Sequence, residues 1–247
     1  MTGTITPRYR NVMTSYVIPA HDIVGLPVAG TDQLFPVRRV YCVGRNYAAH
    51  AREMGYDPER EPPFFFCKPN DAQAIVPVAP GRTTELPYPQ LTSNLHYECE
   101  LVVAIGTGGS NIAAEDAATH IFGYAVGLDM TRRDLQFKMR DAGRPWEIGK
   151  AFDYSAPVGV IHRAAEAGDI NHAAITLEVD GVTRQSATID HLIWSISETI
   201  ANLSTLFALQ PGDLIFSGTP EGVGAVVRGQ TMVGKVAGLS ELSVKLV

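Results

Sequence analysis

HYECELVVAIG, residues 96–106, is the stretch on which the fold turns. Leu101 to Ile105 is apolar on both faces of an extended chain, the pattern of a strand covered on both sides. Glu98 and Glu100 open the same run. Side chains alternate along a strand, so the two carboxylates share one face, roughly 7 Å apart at Cα. Val102 and Ala104 continue that face, while Cys99, Leu101 and Val103 fill the other. A wet strand edge is the usual setting for glutamates at this spacing, but the apolar continuation argues against it. Burying two like charges is costly unless a positive charge compensates. A divalent cation does so directly, and hard oxygen ligands favour Mg²⁺, Mn²⁺ or Ca²⁺ over zinc.

Outward from this strand the chain alternates short strands with a few helices. GYAVGLD, residues 123–129, reads as a strand ending in Asp129, the best third oxygen ligand. Taken alone, Asp129 could equally cap the helix expected over TRRDLQFKMRDAG, which Gly143 ends. Val40–Val43, FFFCKP, AIVPV (74–78), GDLIF and LSVKLV are further strands. ITLEVDGVTRQ carries Asp-Gly between two alternating runs, a hairpin signal. Apolar residues at helical spacing from Ile189 to Phe207 predict one amphipathic helix, with Pro211 beyond its end. Asn46 is placed to cap a short helix, Tyr47 to Met54, ended by Gly55; residues 114–121 also read as helical. The polar stretch YDPEREPP is a loop. The sum is an α+β, β-dominated class. Residues 1–37 form a small N-terminal appendage, in which Met13 is a possible true start, and 38–247 form the body.

The chain has 247 residues and a formal charge of −6, with no basic block to neutralise phosphates. That argues against a nucleic-acid partner but leaves room for a small anionic substrate in a locally positive site. No apolar stretch reaches membrane-span length, and the first residues lack the apolar centre of a secretory signal. Cys42, Cys67 and Cys99 lie in apolar runs without metal-ligand spacing, so all three are expected to be buried reduced thiols of a cytoplasmic protein.

Several polar residues could carry chemistry beside the carboxylates. His50 and Glu53 stand i, i+3 on one helix face, where a carboxylate can orient an imidazole as general base. The spacing by itself fits a solvated surface helix equally well. Gly44 and Gly55 bracket that helix, which could therefore act as a lid. Lys150 lies among apolar and small residues in WEIGKAFD, where a carboxylate partner would explain it. Arg133 and Gln136 share a helix face and could bind a carboxylate, or could face solvent. Thr219 sits in SGTPEGVG, a glycine-rich loop lacking the ending of a phosphate-binding P-loop.

Six motifs follow in a distinctive order: VGRNYAAHAREMG, PPFFFCKP, LHYECELVVAIG, GYAVGLDMTRRDLQ, GRPWEIGKAFD and GTPEGVG. Together, over residues 38–247, they resemble the fumarylacetoacetate hydrolase family, and within it the acylpyruvate hydrolase branch of aromatic catabolism. The resemblance implies the family's mixed β-roll with flanking helices, usually as a homodimer. It implies Mg²⁺ or Mn²⁺ on Glu98, Glu100 and Asp129. His50, Glu53 and Lys150 are then the expected catalytic residues, and Arg45, Arg133, Gln136 and Thr219 the expected substrate contacts. The implied reaction is hydrolysis of an acylpyruvate carbon–carbon bond, foremost fumarylpyruvate to fumarate and pyruvate. A metal-enolate site of this kind could instead decarboxylate oxaloacetate or isomerise an unsaturated 2-oxo diacid. Outside catalysis, the carboxylates could hold a structural cation.

Overall fold

The computed structural model describes residues 16–54 and 61–247. The Met13 start, the Gly55 helix stop and most of the YDPEREPP loop lie outside the described residues. Strands dominate. The main sheet is eight-stranded, and seven strands run in the order Phe64–Lys68, Arg39–Gly44, Asp213–Phe216, Cys99–Ile105, Ile121–Leu128, Ala156–Val158, Ile75–Pro77, with His162–Arg163 added along Ile121–Leu128. A second sheet of five strands runs Val182–Thr188, Ala174–Val179, Thr231–Val236, Leu242–Leu246, Thr83–Leu86.

Cys99–Ile105 is buried at every position near the middle of the main sheet. Its two faces feed two cores, as the alternation requires. Cys99, Leu101, Val103 and Ile105 pack with Ile175, Leu177 and Met232 of the second sheet. Val102 and Ala104 pack with Val40, Leu214 and Phe216. That second core is closed by the hairpin of Gly25–Pro27 and Leu34–Pro36, through Leu26, Val28 and Phe35.

The 96–106 stretch departs from the expected single strand. Leu95–Tyr97 belongs to a separate three-stranded sheet with Thr131–Arg132 and Gly224–Ala225, and the main-sheet strand starts only at Cys99. Glu98 is the joint between two sheets. A continuous apolar pattern cannot show that its backbone changes partners midway.

Among the described residues four α-helices accompany the strands: α1 Ala48–Glu53, α2 Arg133–Asp141, α3 Glu147–Lys150 and α4 Ile196–Leu206. The predicted helix over 189–207 is shorter than its apolar period. Ser195 and Glu198 form a reciprocal capping box that sets the start of α4, and Ile189–His191 is a separate 3₁₀ turn. Residues 114–121 yield only a 3₁₀ turn at Ala117–His120, because Ile121 already pairs in the main sheet. The Asp180–Gly181 hairpin is present, with both residues at positive φ, as a type I′ turn needs. Of the cysteines, Cys42 and Cys99 are buried, but Cys67 is exposed on the edge strand Phe64–Lys68. Among the described residues no helix is long and apolar enough to cross a membrane.

Candidate active site

Strand register brings the three carboxylates together. Cys99–Ile105 runs antiparallel to Ile121–Leu128, with Cys99 opposite Leu128 and Glu100 opposite Gly127. Asp129, one residue past that strand, donates its backbone N–H to the Glu98 carbonyl at 2.9 Å. Ligand oxygens of Glu98, Glu100 and Asp129 therefore lie within 4.8 Å of one another, all buried. Asp129 caps no helix, since Thr131–Arg132 pairs with Leu95–Tyr97 before α2 begins.

Three buried cations surround the carboxylates. Lys150 Nζ donates to Glu98 Oε2 at 2.7 Å, Asp129 Oδ2 at 2.8 Å and Thr131 Oγ1 at 2.7 Å. Arg133 Nη2 donates to Glu98 Oε1 at 2.5 Å. Lys68 Nζ lies 2.8 Å from Asp129 Oδ1 and donates to the carbonyl of Lys150. Asp129 Oδ1 nevertheless accepts no hydrogen bond, because the ammonium meets it off the bonding direction. Burial would raise the Glu98 pKa, but Lys150 and Arg133 outweigh it and hold this carboxyl far below its ordinary value. Burial would lower that of Lys150, and Asp129 and Glu98 instead hold it above the usual lysine range.

Glu100 is treated differently. Its Oε2 accepts the Gly218 N–H at 2.7 Å, and no cation pairs with it among the described residues. Burial, then Asp129 and Glu98 beside it, push its carboxyl well above the ordinary range. These donors fit a divalent ion: three clustered carboxylates, one of them short of positive charge and another with a buried oxygen lacking a hydrogen bond. With all three carboxylates ionised, as around a bound ion, they balance the three cations. A divalent ion thus leaves the cluster at +2 and suited to a small anion.

The glycine-rich loop and α1 close over the cluster. Gly218 has φ +103, and a Cβ there would stand 2.7 Å from Asn46 Cβ, so only glycine lets the loop approach. Asn46 does not cap α1; the N-cap is Tyr47, without a side-chain bond. The Asn46 amide instead donates to Trp194 O and Ser217 O at 2.9 and 2.8 Å, and its oxygen accepts Trp194 N–H. A residue that ties three segments together has no side chain left for capping. Within α1, His50 is buried and its Nδ1 lies 3.2 Å from Glu53 Oε2. Glu53 also accepts the Gly222 N–H at 3.2 Å. Burial opposes ionisation of Glu53, but the bonds from His50 and Gly222 prevail and hold its pKa below the ordinary value.

All ten residues expected at the site gather around one cleft. His50, Glu98, Glu100, Asp129, Arg133, Gln136, Lys150, Thr219 and Arg45 line it, and Glu53 sits behind His50. The cleft opens to solvent, and its empty space, open solvent included, is about 480 Å³. Arg133 and Gln136 are buried rather than on a solvent face. Arg45, at φ +57, stands at the mouth over the rings of Phe64 and Trp146, at 5.3 and 5.7 Å. Thr219 Oγ1 donates to Cys99 O and accepts from Gln185 Nε2.

Three further residues escaped the sequence reading. Lys68 ends the apolar run FFFCK, so the logic applied to Lys150 would have found it. His96 accepts from Arg133 Nε at 3.4 Å, and burial followed by the Arg133 charge pushes its pKa down to about 4. Gln185, fully buried, receives the Cys99 N–H and donates to Thr219 and Pro220, fastening the loop to the carboxylate strand. Nothing in VTRQSAT distinguishes it from the exposed polar residues around it.

The family model described as Fumarylacetoacetate (FAA) hydrolase C-terminal matches residues 39–247. The chain belongs to this family. Among relatives, it is 52% identical over 156 residues to a fumarylpyruvate hydrolase of Ralstonia sp, covering 63% of this chain and 81% of that one. It is 40% identical over 199 residues to an oxaloacetate tautomerase of Escherichia coli (strain K12), covering 80% and 88%. Among solved family structures, the fumarylpyruvate hydrolase from Pseudomonas aeruginosa in complex with Mn²⁺ and pyruvate superposes with TM-score 0.92. The two share 63% identity over 94% of this chain and 99% of that one.

Proposed function

We propose that this enzyme hydrolyses the carbon–carbon bond of an acylpyruvate, foremost fumarylpyruvate, giving fumarate and pyruvate. The observation that carries this reading is the His50–Glu53 pair facing the carboxylate–lysine cluster across one cleft. The named fumarylpyruvate hydrolases at 52% and 63% identity support it. Glu98, Glu100 and Asp129 would hold Mg²⁺ or Mn²⁺, which when bound supplies positive charge that polarises a 2-oxo acid.

The chain's own residues supply the rest. Glu53 accepts a hydrogen bond from His50 Nδ1–H, leaving the Nε2 lone pair to take a proton from water. The hydroxide adds to the acyl carbonyl carbon. The bond from that carbon to C3 of the pyruvyl unit breaks, and its electron pair leaves on C3 as the pyruvate enolate. His50 returns its proton to C3. Lys150 and Arg133, both held on Glu98, favour the enolate and substrate carboxylate through space by their fixed positive charge, the electrostatic contribution that matters most in such reactions. Gln136, Thr219 and Arg45 line the substrate's path.

Loss of the enol absorbance of fumarylpyruvate with Mg²⁺ or Mn²⁺ tests the proposal. Turnover should vanish with EDTA and with Glu98→Ala. Decay indifferent to both, or no decay with any acylpyruvate, overturns it. Oxaloacetate, assayed in parallel for decarboxylation and for enol–keto exchange, tests the alternative chemistry on the same cluster. The catalytic unit is taken as 38–247, with 1–37 appended, which the 39–247 span of the family model supports. The protein is taken as a cytoplasmic homodimer in aromatic catabolism on the strength of the family resemblance, and sedimentation tests the dimer.

A further inference from the structure

Arg133 was expected to grip the substrate, yet its guanidinium is spent on protein. It is 2% exposed. Its Nη2 holds Glu98 Oε1 at 2.5 Å, its Nη1 holds Gln136 Oε1 at 2.5 Å, and its Nε points to His96 Nδ1 at 3.4 Å. Its backbone N–H donates to Asn94 O at 2.9 Å. The Asn94 side chain holds the far side of the imidazole, with His96 Nε2 3.0 Å from Asn94 Oδ1. An amide oxygen only accepts, so Nε2 carries the ring proton and Nδ1 presents a lone pair to Arg133. The strand Leu95–Tyr97 anchors this array, with His96 paired to Thr131.

The consequence falls on Gln136. Arg133 takes its amide oxygen, so the group that Gln136 presents to the cleft is its NH₂. An NH₂ donor suits a substrate carboxylate or 2-oxo oxygen; an amide turned the other way would repel both. We propose that His96 is a positioning residue: its Nδ1 lone pair orients the Arg133 guanidinium, which sets Glu98 and turns the Gln136 donor towards the 2-oxo acid. His96 acts only through Arg133. The substrate class is that of the proposed function, on which this inference rests.

The test uses full-length protein with Mn²⁺, reading fumarylpyruvate kinetics and, separately, calorimetric binding of pyruvate. His96→Leu removes the acceptor. His96→Asn restores one, since Asn Oδ1 can occupy the place of Nδ1. His96→Leu should weaken pyruvate binding and raise KM by about tenfold, the scale of one lost hydrogen bond to a charged group. Its kcat should fall much less, and His96→Asn should recover most of the loss. Arg133→Lys keeps the charge but loses the fork, and adding His96→Leu to it should cost little more. Asn94→Leu frees the ring tautomer and should give a weaker loss of the same kind, which keeps the proposal testable should His96→Leu fail to fold. Equal losses in His96→Leu and His96→Asn, or additive losses with Arg133→Lys, overturn it. Absence of acylpyruvate turnover by the unsubstituted enzyme would overturn the hydrolase reading alone, because pyruvate binding still reports on His96.

Discussion

Glu98 and Glu100 are two residues apart, yet their surroundings push their proton affinities in opposite directions. Glu98 has Lys150 and Arg133 within hydrogen-bond reach, whereas Glu100 has one backbone N–H and two carboxylate neighbours. That asymmetry leaves Glu100 as the carboxylate a divalent ion would serve best. Lys68 works on the other side of the cluster, with its side chain fully buried beside Asp129 and the Lys150 carbonyl. Lys68→Met should cost about 3 kcal/mol in urea unfolding, the lower end for a broken buried pair because Lys150 still holds Asp129. Glu53→Gln keeps the shape of α1 but ends the carboxylate's hold on His50. Its kcat should fall about 10²- to 10⁴-fold, the usual contribution of a positioned base, with Mn²⁺ affinity unchanged in a direct titration.

The elements that hold the site are short and depend on local devices. α4 begins at Ser195, whose hydroxyl accepts the Glu198 N–H while Glu198 accepts the Ser195 N–H. Ser195→Ala should therefore lower stability by about 1 kcal/mol, read as a drop in Tm. The S-x-x-E pattern was present in the chain, but the longer apolar period masked it. α2 is tied to the 92–94 loop by Asp134, which accepts from Thr92, the Ser93 N–H and the Leu135 N–H. Burial is the largest single influence on Asp134 and opposes its ionisation, but these bonds together overcome it and hold its pKa below the ordinary aspartate value. A depressed folded-state pKa adds stability that is present above the unfolded value and lost as pH falls through the folded one. Thermal melts of the unsubstituted protein and Asp134→Asn should differ at pH 6 and converge towards pH 3.

Across the whole molecule, the two large sheets pack through an apolar core. The core between them consists of apolar side chains from both sheets, away from the carboxylates. Removing metal with EDTA should leave far-ultraviolet circular dichroism intact. At 100 times its Kd, added Mn²⁺ should restore about 2.7 kcal/mol of apparent stability by mass action. Unfolding on chelation would instead mark a structural ion.

The chain alone specified the strand class, the Asp-Gly hairpin, the alternation that feeds two cores, and the residue types of the carboxylate cluster. Each depends on local period or turn chemistry, which sequence spacing records directly. It also carried Lys68 in plain view, as a lysine within an apolar run. Tertiary structure alone decided that Glu98 lies at the joint of two sheets, that Asn46 ties the loop instead of capping α1, and that His96 and Gln185 stand behind the site. These depend on strand partners and hydrogen bonds between segments as far apart as Asn46 and Ser217. Such partners are chosen when burial forces every polar group to find one, and no local pattern encodes which it will be.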